Sequence, residues 1–212
     1  VRLVVAGATG ATGRHVVTRA LHAGHRVTAL VRRDGGFPAH PDLSTTYVNV
    51  VDDDTRLAGV LAETRADAII STLGNPLARA PKILGRAHRT LVSAATRAGT
   101  PRIATMIAYG SAATTAPAPP AIRLLAATLL RTDFRDLGQV DAALAASALN
   151  WTIIHFGALT DDPPTGRWTL SKQLTRPSRY RVARADVADA LLHAVTTDEF
   201  PRCRTVLSGA RP

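Results

Sequence analysis

Three glycines in the opening stretch constrain this chain more than anything else in it. Gly7, Gly10 and Gly13 recur at three-residue spacing, directly after the apolar run Leu3-Val4-Val5-Ala6 and directly before the helical pattern Val16, Val17, Ala20, Leu21. Strand, glycine turn and helix in that order describe the first half of a βαβ unit whose turn holds a dinucleotide pyrophosphate. Lacking a Cβ, Gly7 permits the sharp exit from the strand, Gly10 lets backbone approach a phosphate and Gly13 lets the helix pack closely on the sheet. The helix N-terminus adds unpaired N–H groups and roughly half a positive charge. Gly24 closes the helix, and the alternating RVTALV of Arg26 to Val31 forms the second strand.

That second strand ends in Arg32 and Arg33, where a unit selective for NAD places an acidic residue against the ribose 2′-hydroxyl. Two guanidiniums favour a 2′-phosphate, and hence NADP as cofactor. Asp34, the next residue, leaves an NAD reading open.

The rest of the chain repeats the alternation. A third strand is expected over Thr45–Val51, ending in Asp52, Asp53 and Asp54, with a helix from Thr55 to Arg65. Asp54 or Thr55 suits the N-cap of that helix, and Asp52 or Asp53 falls beside the adenine at a strand's carboxyl end. The run Ala68 to Thr72 reads as a buried parallel strand that stops at Leu73-Gly74-Asn75-Pro76, followed by a helix from Lys82 to Ala98. A strand from Arg102 to Ala108 delivers Tyr109, Gly110 and Ser111 to the same edge. After the Pro-rich, irregular 112–120 come helices over 121–130 and 134–148, then a strand from Trp151 to His155. Phe156, Gly157 and Ala158 lead into the loop LTDDPPTGRW. A short strand near 179–182, a helix over 186–196 and a strand near 205–208 complete the chain. Alternation of this kind predicts an α/β fold, a doubly wound parallel sheet of the Rossmann type with a small C-terminal substrate-side lobe, in one domain over residues 1–212. Ligands of such sheets lie beyond the strands' carboxyl ends.

Composition removes several function classes. The chain carries 26 basic and 16 acidic residues, a formal charge of +10, with Lys82 and Lys172 its only lysines. Arginines so scattered, with aromatics at 4%, argue against a nucleic-acid surface. A single cysteine, Cys203, excludes a disulfide framework and a Cys-based zinc site, and no metal is expected. No apolar stretch approaches the ~20 residues of a membrane span. A cytoplasmic monomer or homodimer acting on a small molecule is the expectation.

Short-chain dehydrogenases of the usual kind pair a tyrosine with a lysine four residues on. Tyr47, Tyr109 and Tyr180 all lack that lysine, and Tyr180 has Arg184 in its place. With GATGATG, LVRR, the aspartates, LGN, the serine past the fifth strand and the TDDPPTGRW…SRYRVARADVADALL stretch, the chain resembles the atypical short-chain dehydrogenases over nearly its whole length. Within them it is similar to the NmrA-like and biliverdin-IXβ reductase (flavin reductase) proteins. The resemblance implies an NADP-binding Rossmann fold that passes hydride to a planar flavin or tetrapyrrole, with positioning dominating over acid–base work.

Residue by residue, it implies that Gly7, Thr9, Gly10, Ala11, Thr12 and Gly13 form the phosphate turn. Arg32, with Arg33, meets the 2′-phosphate, Asp52 and Asp53 lie at the adenine edge, and Leu73, Gly74 and Asn75 form the cofactor loop. Ser111, Phe156 and Ala158 flank the nicotinamide. Tyr109 and Ser111 are expected to orient the acceptor or relay a proton, with His155 as an optional acid. The family's loop histidine is absent: Ala158 stands there, and His155 lies three residues earlier. Small residues at Ala112-Ala113-Thr114-Thr115 predict a more open pocket. Other classes fit the same fold: an NADP-sensing regulator without turnover, or a non-redox isomerase or cyclase.

Overall fold

The central strands are buried on both faces, and each parity of residues meets its own helical layer. The structure, a computed structural model, describes residues 1–33, 36–75, 82–114, 116–128 and 131–209. Its strands are β1 (Arg2–Ala6), β2 (Arg26–Val31), β3 (Leu43–Tyr47), β4 (Ala68–Ser71), β5 (Arg102–Ala108), β6 (Asn150–Phe156), β7 (Ala158–Thr160), β8 (Trp168–Ser171), β9 (Arg181–Ala183) and β10 (Cys203–Gly209). The helices are α1 (Ala11–His22), α2 (Asp54–Glu63), α3 (Leu84–Ala98), α4 (Pro120–Ala127), α5 (Arg131–Ala145) and α6 (Arg184–Thr196). Val4, Ile69, Ile103 and Ile153 point to the layer of α2, α3 and α5, while Val5, Ile70, Ala104 and Ile154 point to that of α1 and α6. Burying each such Val, Leu or Ile contributes about 1.5–3 kcal/mol, which holds both helical layers to the sheet.

The sheet order is β3-β2-β1-β4-β5-β6-β10-β8. All its pairs are parallel except β10 with β8. The reversal of strand order between β1 and β4 opens a crevice at their carboxyl ends, the switch point where ligands of doubly wound sheets bind. The expected Rossmann sheet is therefore present. The substrate-side lobe is the parallel pair β7 and β9 with the antiparallel edge strand β8.

Some boundaries differ from the sequence expectation. The third strand ends at Tyr47 rather than Val51, because Asn49 turns the chain. Its side-chain oxygen accepts from Val51 N at 3.2 Å and its carbonyl accepts from Asp52 N and Asp53 N at 3.2 and 3.0 Å. Asp53, rather than Asp54 or Thr55, then caps α2, accepting from Arg56 N at 3.0 Å. The stretch after Pro119 is helical earlier than expected, since α4 starts with Pro120 in the first turn, where its missing N–H costs nothing. The loop after Ala158 contains β7 and reaches β8 at Trp168, strands too short to show a periodicity. Asp34, Pro76 and Thr115 lie outside the described residues.

Candidate functional site

The glycine turn is fixed by contacts that only glycine allows. Gly7 has φ of 81°, and a Cβ there would stand 2.9 Å from the Thr72 carbonyl carbon at the exit of β4. Thr72 fastens the same turn, its hydroxyl donating to Ala6 O at 3.2 Å and Gly7 O at 3.1 Å. Gly13 packs back onto the turn itself: its Cβ would fall 2.1 Å from Gly7 O. The sequence places this glycine against the sheet, whereas in the fold it seats the helix on the turn. No side chain caps α1 and no acidic residue lies in its first turn, while α2 has both Asp53 and Asp54. The α1 N-terminus is left for an external anion.

A cleft of about 180 Å³ opens at the switch point, lined by Gly7, Thr9, Gly10, Arg32, Leu73 and Gly74 among others. Val48, Val50 and Ile83 supply apolar wall. A second hollow at the ends of β2 and β3 is lined by Arg32, Asn49, Asp53 and Arg56, so Arg32 stands between the two. This donor set fits a dinucleotide: a phosphate turn at one side, a cation and a carboxylate at the ribose and base end. Ala11 is exposed at the mouth of the turn, whereas Thr12 and Gly13 are buried beneath it. Arg33 is exposed beside Arg32. Asp52 engages Arg86 at 2.5 Å and accepts from Asn49 Nδ2 at 3.1 Å. Asn75 braces the loop after β4, its oxygen accepting from Ile83 N at 3.0 Å.

At the other end of the cleft the turn after β5 is closed on itself. Gly110 has φ of 97° and Ala112 of 48°. A left-handed alanine there holds strain that the surrounding contacts must supply. Thr114 supplies them: its hydroxyl accepts from Gly110 N and donates to Ser111 O, both at 2.8 Å. The Ser111 hydroxyl donates inward to Ala108 O, and Ser111 is wholly buried. Tyr109 is 2% exposed and its hydroxyl has no partner among the described residues. Burial raises the Tyr109 pKa, helped by Tyr180 and opposed by Arg176.

His155 is also fully buried, with Nδ1 3.4 Å from the Thr114 hydroxyl and Nε2 without a partner among the described residues. Burial pushes its pKa down to about 4. The ring is neutral at physiological pH and faces the α5 layer beneath the turn, so it carries no imidazolium proton toward the cleft. Phe156 is half-buried and its carbonyl accepts from Tyr109 N at 2.7 Å, while Ala158 is exposed where β7 meets β9. Of the residues predicted to hold the cofactor, Gly7, Thr9, Gly10, Arg32, Leu73 and Gly74 line one cleft and Asp53 the hollow beside it, while Phe156 and Ala158 lie apart, next to Tyr109 and β9. The residues predicted as catalytic, Tyr109, Ser111 and His155, all lie under the surface around the turn after β5.

Three side chains that sequence reasoning passes over do most of the positioning. Thr114 latches the β5 turn, signalled only by its place three residues after Ser111. Asp136 reaches from α5 to cap α3, its two oxygens accepting from Leu84 N and Gly85 N at 2.9 Å each, a pairing between distant segments. Asp186, in the first turn of α6, pins the substrate-side loop. It is 1% exposed and accepts from Thr165 N, Thr165 Oγ1 and Gly166 N at 3.1, 2.7 and 3.1 Å. Asp186 of the ADVA stretch thus holds the TG of the PPTG loop. Asp186→Ala removes the buried carboxylate that accepts these bonds from an exposed loop, and is expected to cost about 2 kcal/mol in urea denaturation. Asp186→Asn, which keeps one carbonyl, should recover part of that loss.

Residues 7–198 match the NAD(P)H-binding family. The chain belongs to that family. Among solved structures, this NAD(P)H-binding protein is similar to the oxidoreductase ylbE from Lactococcus lactis, at 20% identity and TM-score 0.84, covering 100% of this chain and 92% of that one. It is also similar to a short-chain dehydrogenase/reductase from Veillonella parvula in complex with NADP, at 16% identity and TM-score 0.79, covering 98% and 94%. A third is ChuY, an anaerobillin reductase from Escherichia coli O157:H7, at 22% identity and TM-score 0.76, with 100% of both chains covered. At these identities the likeness is one of fold. The resemblance to atypical short-chain dehydrogenases is borne out by family and fold together. No helix among the described residues is long and apolar enough to cross a membrane.

Proposed function

We propose that this NAD(P)H-binding protein is an NADPH-dependent reductase that passes hydride to a planar, conjugated small-molecule acceptor held beyond β5 and β6. The observation that carries the reading is the switch-point cleft with Arg32 between its two hollows. Bound NADPH would supply the hydride. The protein's share is positional: the Gly7 to Gly13 turn and the uncapped α1 hold the pyrophosphate, Arg32 and Arg33 the 2′-phosphate, and Leu73 and Gly74 the middle of the cofactor. Asp53 and Asn49 border the adenine side. At the acceptor end the Tyr109 hydroxyl has no partner among the described residues, and Ser111 shapes the turn beside it. Placement of reactants alone can supply much of a hydride-transfer barrier. We assign His155 to support of the β5 turn, given its burial and neutral ring.

NADPH oxidation followed at 340 nm with a panel of flavins, quinones and linear tetrapyrroles tests the reading. Acceleration by at least one of them is expected. Tight NADPH binding without any acceleration favours a nucleotide-sensing regulator, a reading supported by the inward-turned Ser111 hydroxyl. Replacing Arg32 and Arg33 by alanine is expected to weaken NADPH at least tenfold more than NADH, as expected when charge-assisted bonds to the 2′-phosphate are lost. Equal losses would remove the 2′-phosphate assignment.

A further inference from the structure

The hollow at the ends of β2 and β3 holds a guanidinium besides that of Arg32. Its volume is about 490 Å³, and its walls include Arg32, Asn49, Asp53 and Arg56. Arg56 stands in the first turn of α2, and its Nε donates to Tyr47 O at 2.7 Å. That carbonyl belongs to the last residue of β3, whose register partner is Val31, the residue before Arg32. Val48 N donates to Val31 O at 3.1 Å, so the ladder between the two strands runs one step past Tyr47. The root of the Arg32 side chain and the tethered guanidinium of Arg56 thus come to the same end of two adjacent strands, on the wall of one hollow. With Nε held by the carbonyl, the terminal nitrogens of Arg56 make no hydrogen bond among the described residues.

Among the described residues, no carboxylate lies within ion-pair distance of either arginine. The acidic run beside them is committed elsewhere. Asp52 engages Arg86, Asp54 accepts from Ser93 Oγ at 3.2 Å and pairs with Arg97 at 3.3 Å, and Asp53 caps α2 by accepting from Arg56 N. Asp53 is the one carboxylate among the lining residues, so two positive charges meet one negative across the hollow. Like charges gathered on a concave wall concentrate anions there. A guanidinium held by one edge presents its remaining donors in a fixed fork, the geometry that suits a phosphate.

We infer that Arg56 is a second determinant of cofactor choice, a guanidinium that meets the adenosine 2′-phosphate from α2 while Arg32 meets it from β2. The inference rests on the NADP reading of the cleft and adds to it a residue that neither the glycine turn nor the end of the second strand marks. The phosphate dianion lies between the two side chains and accepts from both. The bond to Tyr47 O sets the Arg56 fork in place before the cofactor arrives, so little side-chain freedom remains to be lost on binding.

NADP⁺ and NAD⁺ differ by the 2′-phosphate alone, as do adenosine 2′,5′-bisphosphate and 5′-AMP. Calorimetric titration of the full chain with these probes reads binding without turnover. The wild-type protein is expected to bind the 2′-phosphorylated member of each pair about tenfold or more tightly. Arg56→Ala should weaken NADP⁺ and the bisphosphate about tenfold and leave NAD⁺ and 5′-AMP within about twofold. Arg56→Lys, which keeps the charge but not the planar fork, should recover part of the loss. Raising the salt to about 0.5 M should shrink the wild-type preference more than that of Arg56→Ala. The urea midpoint of each variant checks that the turn at Asn49 has not opened. A preference unchanged in Arg56→Ala overturns the inference. So does an equal loss for both members of each pair, which would set Arg56 against the adenine or in the packing of the turn. A wild-type protein that binds the probes but prefers neither member of a pair removes the NADP reading itself, and the inference with it.

Discussion

Gly13→Ala is expected to lose NADPH binding and about 3 kcal/mol of stability, the upper end of the usual cost of overpacking. The added methyl would stand 2.1 Å from Gly7 O and 2.9 Å from Ala8 Cα. Both are backbone atoms, so no rotamer change relieves the clash. The turn must open, and Gly7 is not free to follow it because Thr72 presses on its other side. Gly10→Ala is the informative control. Its Cβ would lie 3.2 Å from Gly7 O and its φ of −71° suits any residue, so stability should change by less than about 1 kcal/mol. Gly10 lines the cleft, however, and NADPH affinity should still fall about tenfold or more. Urea denaturation and NADPH titration of the two variants separate the fold from the site. A stable Gly13→Ala protein that binds NADPH normally would contradict this account of the turn.

The second large effect is acid lability, set by His88 and His155. His88 is 1% exposed, with Nδ1 2.8 Å from Leu84 O and Nε2 2.9 Å from the Thr105 hydroxyl. Burial takes its pKa down to about 4, as it does for His155. The nearby carboxylates, Asp136 for His88 and Asp141 for His155, oppose that shift without cancelling it. Because both folded values lie below the ordinary 6.5, the unfolded chain binds more protons between pH 6.5 and 4. Stability from these two groups is complete above about pH 6.5 and falls as pH drops toward 4. Each histidine can account for about 3 kcal/mol over that interval. Urea midpoints measured from pH 7.5 to 4 should fall steeply, and His88→Gln or His155→Gln should each flatten the curve by roughly half. A pH profile unchanged in both variants would mean that the rings are not buried neutral in solution.

The parts of this molecule legible in the sequence are those encoded by neighbours. Gly7 to Gly13, the alternation of RVTALV and the position of Arg32 lie within one βαβ unit, and local pattern places them in the cleft. What the sequence hides is fixed by distant partners. Asp136 caps α3 across 52 residues to Leu84, and Asp186 holds Thr165 across 21, so neither carboxylate stands out where it is written. Asp52 and Asp53 read alike, yet one meets Arg86 and the other caps α2, because a turn at Asn49 decides which way each points. His155 ends an apolar strand and reads equally as a core residue or an acid. Its burial beneath the latched β5 turn is a tertiary fact. The turn after β5 was the least legible because Tyr109 and Tyr180 meet from segments 71 residues apart.

The pin at Asp186 also separates two kinds of variation. The loop before β8 is clasped to α6 at Thr165 and Gly166, β8 then runs along β10 with Trp168 against His193 of α6, and the chain comes back to the start of that helix at Ala183 and Arg184. Between β8 and Tyr180 the irregular 172–179 is held at fewer points, and it can lengthen, shorten or exchange its charges while the sheet keeps its shape. Such a segment behaves as an interchangeable cassette, and grafting residues 172–179 from one relative onto another tests directly whether it carries ligand preference with it.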